Sequence, residues 1–141
     1  MTKQITSSIM MIRPVAFRFN EQTAVNNYYQ QVLEGVTADQ MQVQAQNEFD
    51  TFVEKLRAKG VEVVVVEDTL EPNTPDSIFP NNWISFHNDG RVGLYPMCAE
   101  NRRLERRDDV LTILMEQHNF VINEVIDFSH YESQDLFLEG T

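Results

Sequence analysis

Cysteine occurs once, at position 98. That excludes an internal disulfide and fits a reducing cytoplasm. Glycine is sparse as well, five in 141 residues. No G-x-G-x-x-G and no Walker pattern is present, which excludes a glycine-rich phosphate cradle. No apolar run approaches the roughly 18 residues that a membrane span needs. The short apolar run at 9–12 follows Thr6, Ser7 and Ser8 and makes a poor signal peptide. Bases are few, 11 against 22 acids, for a net charge of −11. A nucleic-acid binder shows a basic patch or stripe. Here the one dense basic cluster, Arg102, Arg103, Arg106 and Arg107, is interrupted by Glu105. Nucleic acid and anionic membranes are therefore disfavoured, and a small-molecule or protein partner is expected. His87, His118 and His130 lack zinc-type spacing to one another or to Cys98. No metal and no cofactor is expected, and Cys98 reads as an inert thiol.

What is present is a globular composition, 42% hydrophobic, of a length suited to one domain or a piece of a larger one. Residues 9–15 read as a buried strand and 17–35 as irregular. Thr37-Ala38-Asp39-Gln40 fits a capping box. Met41, Ala45, Phe49, Phe52 and Leu56 follow as one helical stripe that Gly60 ends. Residues 61–66, β-branched apart from Glu62, read as a buried parallel strand. A loop follows at 67–77. Strands at 83–86 and 92–95 flank Asp89-Gly90, a hairpin signal. A second helix is expected from about 101 to 118 with Leu104, Leu111, Leu114 and Met115 inward, then a strand at 120–126. Strand–helix–strand thus occurs twice, which indicates an α/β architecture.

Three segments carry chemistry. Phe79-Pro80-Asn81-Asn82-Trp83 places two amides at a strand entry. Adjacent asparagines often only build turns, but an amide offers donors and an acceptor to a urea-like group. Asn101-Arg102-Arg103-Leu104-Glu105-Arg106-Arg107 puts cations at a helix start, against the macrodipole. An arginine there needs an anion, and a substrate carboxylate would supply one in bidentate form. In Phe137-Leu138-Glu139-Gly140-Thr141 an acid follows two apolar residues at the end of a strand, where open α/β folds place their sites.

Together with Tyr95-Pro96-Met97 and Met11-Ile12-Arg13-Pro14, these segments resemble the arginine deiminase-like, or pentein, superfamily, in its amidinotransferase-like or citrulline-utilisation hydrolase branch. The resemblance covers nearly the whole chain. It implies an α/β propeller of ββαβ-type modules, of which residues 1–141 would form about two to three of five. The chain is then expected to be the N-terminal portion of one such domain, cut after Thr141. Open sheet and helix faces, exposed apolar surface and self-association are expected with it.

The resemblance also implies a hydrolase or amidinotransferase acting on the guanidino or ureido group of an arginine- or citrulline-like amino acid. A cysteine adds covalently to the carbon, with a histidine as acid and base. Both belong beyond Thr141 in the family pattern, so this chain alone is expected to be inactive. Glu139 falls on the family's catalytic glutamate. Asn82 stands where deiminases place an aspartate, with Asn81 beside it, and Arg102 (or Asn101) where an arginine meets the substrate carboxylate. The amide at position 82 removes a negative charge and favours a neutral ureide. Two other readings stand beside the enzyme: a non-catalytic amino-acid-binding module of the same fold, and a plain α/β interaction domain.

Overall fold

The computed structural model describes residues 6–25, 27 and 35–138. Strand β1 (Ser8–Arg13) leads to a four-residue helix, α1 (Glu21–Ala24), inside the region expected to be irregular. Helix α2 (Ala38–Ala58) begins at the expected capping box. Thr37 Oγ1 accepts from the Gln40 backbone N–H at 3.2 Å, and Gln40 Oε1 accepts from the Thr37 N–H at 3.0 Å. Two donors that a helix start leaves open are thereby satisfied. Gly60, at φ 82°, turns the chain out of the helix.

Strand β2 (Glu62–Glu67) pairs with β1 in parallel, from Ser8↔Glu62 to Arg13↔Glu67. The period of two along each strand divides the apolar run between two faces. Ile9, Met11, Val63 and Val65 pack with Phe49, Val53 and Leu56 of α2. Met10, Ile12, Val64 and Val66 turn the other way and join Trp83, Ile84, Val92, Met97, Val110 and Leu114. The buried face of α2 is centred on Phe49 and Val53, while Phe52 is 53% exposed. The sheet, not the even spacing of large side chains, selects which stripe faces inward.

Strands β3 (Ile84–Phe86) and β4 (Arg91–Leu94) form the expected antiparallel hairpin. Gly90 sits in its turn at φ 79°, where a Cβ would stand 2.5 Å from Asn123 Nδ2. Strand β4 then pairs in parallel with β5 (Glu124–Asp127), giving the order β3-β4-β5. Phe120 and Ile122 pack on the core before β5 begins, so the strand starts later than the sequence expectation.

The helix expected at 101–118 is two helices, α3 (Glu100–Arg103) and α4 (Asp108–His118). Leu104 and Met115 are exposed, whereas Val110 and Leu114 are buried. Ion pairs from Arg106 and Arg107 to Glu132 and Asp68 hold the break in place. Asp108 and Asp109 then supply the negative charge that suits a new helix start.

The result is a βαβ unit followed by a ββαβ unit, a mixed α/β arrangement with α2 and α4 on opposite faces of the parallel pair. Among the described residues the strands form one two-stranded and one three-stranded sheet and close no propeller. Leu136, Phe137 and Leu138 form no strand and are exposed. No helix among the described residues is long and apolar enough to cross a membrane.

Candidate functional site

The Asn81-Asn82 pair lies on a 3-10 turn, Pro80–Asn82, whose proline occupies the first turn. Pro80 and Trp83 are buried and anchor the turn at both ends, leaving Asn81 exposed and Asn82 half-buried. Asn81 stands on the rim of a groove of about 780 Å³, with Met10, Val64, Ile84 and Leu114 among its lining residues.

The carbonyl of Phe79 joins this turn to α3. It accepts from the Asn82 backbone N–H at 3.2 Å. It also accepts from Arg102 Nη2 at 3.3 Å. Arg102 is itself buried, and its Nε and Nη2 donate to the two carboxylate oxygens of Glu105 at 3.0 Å each. This is the bidentate fork that guanidinium and carboxylate geometry favour. Burial pushes the Glu105 carboxyl up to about 7, against the pull of Arg102 and with a further push from Asp76 and Asp68.

Internal anions therefore answer the argument that these arginines need one. Arg102 has Glu105, Arg106 has Glu132 at 2.6 Å, and Arg107 has Asp109 at 2.6 Å and Asp68 at 3.5 Å. Arg103 differs from Arg102 in exposure, its side chain 29% accessible against 7%. It donates to the carbonyls of Met97 and Cys98 at 2.9 and 3.2 Å, and its guanidinium carbon lies 5.7 Å from the centre of the Phe137 ring.

Backbone hydrogen bonds make the motif segments neighbours. Tyr95 N–H donates to Trp83 O at 2.9 Å, and Leu138 N–H donates to Pro96 O at 3.1 Å. Met97 N–H donates to Glu132 Oε1 at 2.8 Å. Segments 79–83, 95–97, 101–107 and 137–138 thus form one connected patch. Glu139 lies outside the described residues.

A buried polar cluster that the sequence did not announce adjoins α3. Asn20 Nδ2 donates to Asp76 Oδ2 at 2.7 Å, Thr23 Oγ1 to the same oxygen at 3.1 Å, and Asn101 Nδ2 to Asn20 Oδ1 at 2.8 Å. These contacts cross 53 to 81 positions of the chain, so no local pattern marks them. Cys98 is exposed just before α3. His87 Nε2 lies 3.1 Å from Ser85 Oγ and His130 Nδ1 lies 3.2 Å from Asp127 O. Among the described residues, no group of three or more His, Cys, Asp or Glu is placed to hold a metal ion.

A mixed α/β domain carrying amides, arginines and buried carboxylates at one set of strand ends is the class that fold and patch define. The chain belongs to the family described as N,N dimethylarginine dimethylhydrolase, eukaryotic, whose model matches residues 13–141. That family has the pentein type of fold. No curated protein and no solved structure matches the chain.

Proposed function

We propose that the chain belongs to a hydrolase acting on the guanidino group of a methylated arginine, and that residues 1–141 supply part of its substrate grip. The observation that carries this reading is the family match over residues 13–141, which includes all the motif segments of the patch. Membership in a family described as a dimethylhydrolase favours hydrolysis over amidino transfer.

In this reading the substrate's guanidinium lies against Asn82 and Glu139, with Asn81 at the rim. Asn82 is neutral, so Glu139 supplies the opposing charge. The sequence assigned the substrate carboxylate to Arg102. Arg102 is buried and its fork is taken up by Glu105, whereas Arg103 is more exposed and lies 3.6 Å from Glu132 without the bidentate fork. We assign carboxylate binding to Arg103 and a supporting part to Arg102. Attack of a cysteine thiolate on the guanidinium carbon forms a C–S bond as the C–N bond to dimethylamine, which leaves protonated, breaks; water then cleaves the C–S bond to give the ureide and the free thiol. Cys98 is not that cysteine in this reading, and the 141-residue chain does not turn substrate over by itself.

Calorimetric titration with Nω,Nω-dimethylarginine and with citrulline tests the grip, and release of dimethylamine tests turnover. Binding of dimethylarginine that is weakened by Asn82→Ala supports the reading. Binding of citrulline alone would move the substrate to the ureide class, and binding of neither would reject the grip. Turnover abolished by Cys98→Ser would overturn the assignment of Cys98.

A further inference from the structure

We infer that Glu105 is the positioning residue of the candidate grip: through Arg102 it fixes the Phe79 carbonyl, and with it the turn that carries Asn81 and Asn82. The binding consequence rests on the reading above. The positioning itself does not.

Phe79 is 47% exposed and Asn81 is exposed. The Phe79 N–H donates to Asp76 O at 3.0 Å and Trp83 O accepts from the Tyr95 N–H at 2.9 Å, which holds the two ends of the segment. Pro80 and Trp83 fix its position by packing, but the direction of the Phe79 carbonyl is set by what donates to it. One donor, the Asn82 N–H, belongs to the turn itself, and the other is Arg102 Nη2, from α3. Arg102 thus ties α3 directly to the carbonyl at the head of the turn.

Arg102 can hold that place only if its own direction is fixed. A four-residue helix, with no side-chain cap at Ala99, does not fix a long side chain. The Glu105 fork does, because two parallel hydrogen bonds leave a planar guanidinium one orientation. A buried ion pair is weak grounds for stability, since apolar residues of similar volume serve as well or better. Directional placement is what the pair adds.

The charged groups that act on Glu105 are Arg102, Asp76 and Asp68, and Asp68 in turn meets Arg107. With Glu105 ionised these are three carboxylates and two guanidiniums. The raised midpoint of Glu105, about 7, means that the fork gains and loses a proton near neutrality. The carboxylate accepts two bonds from Arg102, while the neutral acid keeps a donor of its own and holds the guanidinium less firmly.

Trp83, the single tryptophan, is buried and directly follows Asn82, so its emission reports on the turn. The experiment compares the chain with Glu105→Gln, Glu105→Asp and the double variant Arg102→Met/Glu105→Leu. Trp83 emission is followed from about pH 6 to about pH 8, across the Glu105 midpoint of about 7. Dimethylarginine affinity is measured on the same samples.

The expected result is a Trp83 emission step that Glu105→Gln and the double variant lose and Glu105→Asp partly restores. Affinity is expected to fall about tenfold or more in Glu105→Gln, the scale of a lost charge-assisted hydrogen bond. The double variant keeps the core filled, so it decides the matter if Glu105→Gln does not fold. A folded variant lacking the fork, with the same Trp83 emission and pH profile as the original chain, would overturn the inference. If the original chain binds no dimethylarginine, the substrate reading falls and the Trp83 comparison alone decides the positioning.

Discussion

The backbone N–H of Asn82 and the guanidinium of Arg102 meet on one oxygen, the carbonyl of Phe79, at 3.2 and 3.3 Å. The two donors stand twenty positions apart in the sequence. Arg102→Lys keeps the charge but loses the planar fork, and a lysine cannot reproduce both bonds to Glu105 together with the one to Phe79. The expected cost is about 2 kcal/mol, read from urea unfolding, with a change in Trp83 emission. An unchanged midpoint and spectrum would show that charge alone suffices.

Asn82→Asp restores a carboxylate opposite the proposed guanidinium. Dimethylarginine binding is expected to strengthen relative to citrulline by about tenfold, in line with the added charge-assisted hydrogen bond. Competition calorimetry with the two ligands measures the ratio. An unmoved ratio would mean that position 82 does not face the substrate's polar end.

Glu132 ties two segments of the patch together: it accepts from Arg106 at 2.6 and 2.9 Å and from the Met97 N–H at 2.8 Å. Glu132→Ala leaves a largely buried guanidinium and a backbone donor without it. Destabilisation of about 3 kcal/mol is expected, and Glu132→Gln should recover part of it by keeping the acceptor for Met97. Equal losses in the two variants would contradict the part assigned to the Met97 bond.

Thr37→Ala removes the side-chain half of the capping box, and a loss of about 1 kcal/mol is expected. The effect should appear as a lower urea midpoint, and an unchanged midpoint would show that the capping box contributes nothing.

The raised Glu105 carboxyl sets the sign of one pH dependence. A folded value of about 7 against an ordinary 4.5 means that the folded chain holds this proton more tightly. Its contribution is fully present below about 4.5 and is lost as pH rises through about 7. The change is on the order of 3 kcal/mol. Asp50 and Asp109 act oppositely: hydrogen bonds from Arg13 and Arg107 hold them below their ordinary 3.8, so their contribution is lost as pH falls past that range. Unfolding measured from about pH 5 to about pH 8 should show stability declining toward the alkaline side, and Glu105→Gln should flatten the decline.

The sequence by itself determined the elements whose causes are local. A threonine and a glutamine three positions apart start α2, and Gly60 ends it. The β-branched run 61–66 becomes β2, shifted by one residue, and Asp-Gly closes the hairpin. The motif segments were also visible, and the family match agrees with the superfamily they suggested. What the tertiary structure decided were choices between locally equal options. Val53 rather than Phe52 faces inward because β1 and β2 set the plane on which α2 rests. The 101–118 helix breaks because Arg106 and Arg107 find Glu132 and Asp68, 26 and 39 positions away. Arg102 and Glu105 stand three positions apart, so the chain itself offers the pair, but only the packing that buries both side chains turns Arg102 inward to Glu105 and leaves Arg103 the more exposed of the two arginines.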